Sequence, residues 1–349
     1  MEASSAGQGH VVATNRAVSF TAALAAVALV AAGCGGSSSS AIQGAGSTLV
    51  APLLAQWSST YEQKSGVSLT YTGIGSGGGI LQITERTVDF GASDAPLTPS
   101  QASACHGCVQ IPWALAATLV SYNLKGVSGH LKLTGPVLAN IFLGKITNWD
   151  DPAIAKLNPG ATLPSEKIAT VHRSDGSGDT YAFTDYLAHV SPAWKQKVGV
   201  NASVSWPNGT GGKGNSGVAA LIGSTPGAIG YVAIGQVMSA HMTYALVENS
   251  AGRFPVASQA TIAAAASTAH FASDNSASIV DPPASAANAY PISTFTYVIV
   301  PKSSSKIASL KKFLRWAVSP SAQAQGRPFA FAPLPSAVRS RDLQAIGSL

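Results

Sequence analysis

The sequence predicts an α/β protein with mixed, mostly parallel sheets and helices on both faces. Strand-like and helix-like segments alternate from Ala41 onward, an order that lays helices over the faces of a parallel sheet. Thirty-five glycines and 20 prolines punctuate the 349 residues into many short elements. The chain is 46% hydrophobic and 10% charged, against a usual charged share of about 25%. That is too apolar for a disordered polyampholyte and enough for about two domains with ample cores.

The elements follow in order. Residues 18–32 (VSFTAALAAVALVAA) form an apolar run after Arg16. The run is short for a bilayer span, which takes about 20 residues, and fits the core of an export signal over residues 1–33. It ends in Ala31-Ala32-Gly33-Cys34, small residues before a Cys that resemble a bacterial lipoprotein cleavage site with Cys34 as the lipidated residue. The other reading is an ordinary secretory signal with Cys34 incidental. Residues 34–41, with the run GGSSSS, read as a flexible tether.

Residues 48–64 carry apolar positions at Val50, Leu53, Leu54, Trp57 and Tyr61, the spacing of a helix face. Ser47 or Thr48 can cap that helix and Gly66 ends it. A strand is predicted at 67–71, a helix at 80–86 and a short strand at 88–92. A second unit begins near Trp113 with a buried strand at 114–122, then a helix at 133–143, a turn and helix start at Pro152, and a strand at 168–172. A helix to about Val190, a strand at 227–233, a helix at 261–271, a strand at 295–300 and a helix at 305–318 complete the list. After Cys34 two cysteines remain, Cys105 and Cys108 in CHGC. In an oxidising compartment a local disulfide is the plain expectation. A redox pair lacks a strand-then-helix frame. The seven histidines are scattered, so no metal site is expected.

The net charge of +6 invites a polyanion partner. Eight basic residues and one acidic residue lie from Pro301 to Leu349, leaving −1 for residues 1–300. The basicity is local to the C-terminus, so nucleic acid is not expected. Lys311, Lys312 and Arg315 read first as a solvated helix face, and second as a contact for anionic lipid or a partner.

One local event recurs: a strand stops and small residues open a helix, at 44–48, 75–79 and 176–180. A helix N-terminus offers unpaired N–H groups and the positive dipole end. Small residues let an anion approach them. Ser and Thr add hydroxyl donors and Arg a fork of charge-assisted ones. No Walker-type P-loop or G-x-S-x-G elbow occurs.

The ordered segments GAGSTLVAPLLAQW, YTGIGSGGGI, VDFGASDAPLT, TNWDDP, HRSDGSGDTYAFTDYL and YPISTFTYVIV resemble the phosphate-binding protein of bacterial phosphate ABC transporters, the PstS type, from about Ala41 to about Pro335. The resemblance implies a two-lobed periplasmic-binding-protein fold of type II with the ligand cleft between lobes. The boundaries expected are 42–113 plus 290–349 for the first lobe and 114–289 for the second. It implies a monomer that is not an enzyme, uses no cofactor, and delivers inorganic phosphate to permease subunits from the outer face of the cell membrane.

Carried over motif by motif, it implies ligand contacts from Thr48, the Leu49 backbone N–H, Ser76, Asp94, Arg173, Ser177, Gly178 and Asp179, with Asp175 holding Arg173. Leu49 stands where the family often has Phe. Asp94 makes sense beside an anion only as the acceptor of a ligand proton. Phosphate keeps one at neutral pH and sulfate has none, so Asp94 is the expected selector. Asp179 stands where many members have Thr, and three readings are open: it caps the helix, it accepts a second ligand proton, or Thr180 supplies the hydroxyl instead. Two further functions compete. An exported phosphohydrolase would need an activated nucleophile or a metal cluster, and a surface adhesin could use the same fold.

Overall fold

The computed structural model describes residues 41–127 and 129–349. The expected signal peptide, Cys34 and the tether up to Ser40 lie outside the described residues. Among the described residues no helix is long and apolar enough to cross a membrane.

The chain opens with β1 (Ile42–Gly46), α1 (Ala51–Ser65), β2 (Leu69–Gly73), α2 (Ser76–Thr84) and β3 (Phe90–Ser93). β1 is flanked in parallel by β2 and β3. α1 buries Leu53, Leu54, Trp57 and Tyr61, and left-handed Gly66 closes it by donating to Glu62 O. It starts at Ala51, because Ser47 folds back in a tight turn and accepts the Leu49 and Val50 N–H groups. α2 begins four residues before the expected 80, at Ser76. Its glycines are there for close packing: a Cβ at Gly79 would stand 2.5 Å from Gly46 Cα and 2.7 Å from Ala45 O. The glycine run is therefore the first turn of a helix pressed onto the sheet, not an open loop.

α3 (Pro99–Ala104) carries a Thr98–Gln101 capping box and ends at Cys105, which a disulfide joins to Cys108. Next comes β4 (Cys108–Tyr122), six residues longer than expected at its start and buried from Gln110 onward. β5 (Lys132–Leu133), α4 (Gly135–Phe142), α5 (Pro152–Leu157), β6 (Ala169–Arg173), α6 (Gly178–Val190), α7 (Pro192–Lys197), β7 (Thr210–Gly212) and α8 (Gly214–Ser224) follow. Then come β8 (Ala228–Ala233), α9 (Ile234–Ser239), β9 (Leu246–Val247), α10 (Gln259–Ala266), β10 (Ser293–Pro301), α11 (Ile307–Ala317), α12 (Pro320–Gln323) and α13 (Ser336–Gly347).

The eight-stranded sheet runs β2-β1-β3-β10-β4-β8-β6-β7. Both ends are parallel and the middle is antiparallel. β4 changes partner along its length: residues 108–117 pair with β10 and residues 118–122 with β8. One long strand thus belongs to both halves of a two-lobed α/β arrangement. Around it Trp57, Trp113 and Phe313 meet edge to face, which favours close aromatic packing. The indole N–H of Trp57 is satisfied by Ala322 O at 2.9 Å. In the basic C-terminal segment, Lys306 pairs with Asp89 at 2.9 Å and Lys311 donates to Gly347 O at 3.1 Å, so part of that charge is spent locally.

Candidate functional site

The strand ends of β1, β3, β6 and β7 converge with the starts of α2, α6 and α8, and the buried polar residues gather there. Ser47, Ser76, Asp94, Arg173, Ser177, Asp179 and Asn215 are all at most 4% exposed. Charges so far from water survive only when paired and hydrogen-bonded, and here they are.

Arg173 ends β6, and its main chain is fixed by Tyr231 Oη at 3.0 Å. Its Nε donates to Asp175 Oδ1 at 2.8 Å and its Nη2 to Asp175 Oδ2 at 2.5 Å, a forked pair. Its Nη1 donates to Asp179 Oδ2 at 3.1 Å. Burial alone would weaken the guanidinium's charge, but the hydrogen bond and charge of Asp175 and the charge of Asp179 outweigh it and raise the Arg173 pKa. Burial likewise pushes Asp175 up, yet Arg173 and the Gly214 N–H hold it below the ordinary carboxylate range.

Asp94 follows β3. Its Oδ2 accepts from Ser47 Oγ at 2.6 Å, and its Oδ1 accepts from Thr296 Oγ1 of β10 at 2.9 Å. Desolvation raises its pKa from 3.8 to about 7, helped by the Asp179 charge and opposed by Ser47, Thr296 and Arg173. Ser76, the first residue of α2, accepts both the Asp94 N–H at 3.2 Å and the Gly178 N–H at 3.0 Å. It thereby joins two chain segments 102 residues apart. Gly178 must lack a side chain, because a Cβ there would run into Asp94. Gly75, at φ 90°, would drive one into Asp175.

Eight of the nine residues expected at the site are joined by two networks, and Ser177 adjoins them as the residue before Gly178. One links Ser47, Asp94, Ser76 and Gly178. The other links Thr48, Asn215, Asp179, Arg173 and Asp175. Leu49 lends its N–H to Ser47 Oγ at 3.0 Å. Ser177 is the N-cap of α6, accepting the Thr180 N–H at 3.3 Å. That corrects the capping reading of Asp179, whose carboxylate is taken by Thr118 Oγ1 at 2.7 Å, Arg173 and Asn215 Nδ2 at 2.8 Å. The Thr180 hydroxyl is paired with Tyr231 Oη at 2.7 Å.

Sequence reasoning missed Ser47 as a partner of Asp94, and Thr296, Thr118 and Asn215 altogether. Asn215 had a readable signal. TGGKGN is a fourth case of a strand stopping at small residues that open a helix, and it builds β7 and α8.

The PBP superfamily domain matches residues 5–321. The chain is 43% identical over 298 residues to the phosphate-binding protein PstS of Xylella fastidiosa (strain Temecula1 / ATCC 700964), covering 84% of this chain and 81% of that one. It is 41% identical over 305 residues to the PstS of Pasteurella multocida (strain Pm70), covering 85% and 87%. A high-affinity periplasmic phosphate-binding protein, PfluDING, solved with phosphate, superposes with a TM-score of 0.68 at 21% identity over 86% of this chain and 92% of that one. A phosphate-binding protein from Stenotrophomonas maltophilia gives 0.64 at 19% identity over 87% and 93%. The chain belongs to the PBP superfamily and, within it, to the PstS family of phosphate-binding proteins.

Proposed function

We propose that this protein binds inorganic phosphate outside the cytoplasmic membrane and hands it to the permease subunits of an ABC transporter. The observation that carries the reading is the state of Arg173. A guanidinium has five N–H donors, and Asp175 and Asp179 engage three of them. Two remain in a buried setting beside Asp94, which feels the Arg173 charge. One N–H on each of Nη1 and Nη2 is left to engage phosphate oxygens with charge-assisted hydrogen bonds.

The remaining donors are neutral. Thr48 and Ser177 offer hydroxyls, Ser76 a hydroxyl that now donates to Asp94 Oδ2 at 3.4 Å, and Leu49 and Gly178 share N–H groups that now hold Ser47 and Ser76. Asp175 and Asp179 together balance more than the Arg173 charge, so attraction comes from oriented dipoles rather than net positive charge. Asp94 reads the ligand's proton. A carboxylate accepts the O–H of a protonated phosphate, whereas sulfate presents it only lone pairs. Asp179 acts through Arg173 as its second carboxylate.

The same reading takes the protein as an exported monomer, anchored through lipid on Cys34, with lobes at 42–113 plus 290–349 and 114–289, and with no catalytic activity. Metabolic labelling with a fatty acid, against a Cys34→Ser control, tests the anchor. A chromogenic phosphate ester left intact by the purified protein supports a receptor, and turnover abolished by Arg173→Ala would establish the phosphohydrolase instead. Calorimetric titration with phosphate tests the function itself: one site per chain supports it, and no heat of binding removes it.

A further inference from the structure

Asn215 stands at the start of α8, 2% exposed, and every polar atom of its side chain is used. Its Oδ1 accepts the Ala233 N–H at 2.7 Å. That bond fixes which way the amide faces, because only the oxygen can accept an N–H. Nδ2 is therefore turned to the site. It donates one hydrogen to Thr48 Oγ1 at 3.0 Å and the other to Asp179 Oδ2 at 2.8 Å. The Asn215 main-chain N–H also points at Thr48 Oγ1, at 3.3 Å. The preceding residue, Gly214, donates its N–H to Asp175 Oδ1 at 2.9 Å. Two consecutive residues thus hold the two carboxylates that flank Arg173.

A hydroxyl has two acceptor lone pairs and one hydrogen. Asn215 supplies a donor to each lone pair of Thr48 Oγ1, so the Thr48 hydrogen must point elsewhere. We infer that Asn215 is a positioning residue for the ligand: it makes Thr48 an obligate hydrogen-bond donor, and it ties that donor to the Asp179–Arg173 pair across the site. The inference rests on the phosphate-binding reading. It adds that one neutral amide sets the polarity of the first loop, and that the site accepts at Thr48 only a ligand oxygen offering a lone pair.

The test is a double-mutant cycle read by phosphate calorimetry on the full mature chain. Asn215→Ala should weaken phosphate binding by about tenfold, the scale of one misoriented buried hydrogen bond. Thr48→Val should weaken it comparably. The double variant should be little worse than the weaker single one, because both act through the same hydrogen. Losses that multiply, or an Asn215→Ala protein that binds like wild type, would overturn the inference. Failure of wild type to bind phosphate would instead remove the function beneath it.

Asn215→Asp gives a second readout that holds even if the alanine variant does not fold. It replaces the donor with an acceptor beside Asp179, with Arg173 the nearby cation. Its affinity should fall below wild type at pH 8 and recover several-fold relative to wild type by pH 6, as protonation restores a donor. A ratio unchanged with pH would count against Asn215 acting as the donor to Thr48.

Discussion

The Ser47 hydroxyl donates to Asp94 Oδ2 across 2.6 Å, and Ser47 Oγ itself accepts the N–H groups of Leu49 and Val50. With both N–H groups pointing at it, Ser47 Oγ has its lone pairs filled and its hydrogen committed to Asp94. The turn that starts α1 therefore also tunes the carboxyl at the centre of the site. Ser47→Ala removes a hydrogen bond that lowers the Asp94 pKa. A hydrogen bond to a charged group contributes about 1.5–3 kcal/mol, so Asp94 should titrate about one to two pH units higher. Carbon-13 NMR of the Asp carboxyls checks this, and an unmoved titration would refute it.

Stability should fall as pH rises through the acid range. Asp94 is fully buried, and its folded pKa of about 7 lies above its ordinary 3.8. The folded state then holds a proton that the unfolded chain releases, so between those values unfolding becomes easier as pH rises, and above about 7 the effect is complete. Three units correspond to roughly 4 kcal/mol. Asp342, pushed by burial to about 8, adds in the same sense, so the informative quantity is the difference between wild type and Asp94→Asn. That difference should change from pH 4 to 7 in urea melts, and a pH-independent difference would exclude the assignment.

Selectivity should depend on the same proton. With a pKa of about 7, Asp94 is mostly ionised at pH 8 and mostly protonated at pH 6. A protonated carboxyl can donate to a sulfate oxygen, which removes the repulsion that the carboxylate imposes. Sulfate competition should therefore strengthen by about tenfold between pH 8 and pH 6. Asp94→Asn, which always offers an amide donor, should show no such trend. Competition that is flat in wild type would separate Asp94 from selection.

Gly79→Ala probes the packing that places Ser76. The added methyl meets backbone of Gly46, Ala45 and Ala92 within 2.9 Å, where nothing can rotate away. α2 must lift from the sheet at a cost of about 1–3 kcal/mol, carrying Ser76 away from Asp94 and Gly178. The melting temperature and phosphate affinity should fall together. A stable variant with unchanged affinity would show that this contact does not set the site.

These tests also mark what the sequence could disclose. The order of α/β elements and the loops at Ser76 and Arg173 were legible, because small residues opening a helix have a local cause. Asn215 was hidden only because the fourth such opening, Gly212-Lys213-Gly214, follows a strand of three residues, too short to show a period of two. Thr118 and Thr296 could not be read at all. Each is one buried hydroxyl among others on its strand, with Ser121 on β4 and Ser293 and Thr294 on β10, and its partner, Asp179 or Asp94, lies 61 or 202 residues away. The length of β4 was underestimated because its first residues, CVQIPW, mix polar and apolar side chains without alternation. They pair with β10, a partner nearly 200 residues distant. The role of Asp179 was open for a similar reason: its helix position permits a cap, and only the fold brings Arg173 and Asn215 to it.

The most direct test is a competition titration at pH 8, with phosphate as ligand and sulfate as competitor. The account predicts one tight phosphate site per chain that sulfate at roughly hundredfold excess leaves occupied, a discrimination of at least about 2.7 kcal/mol. Sulfate displacing phosphate at equal concentration would contradict it.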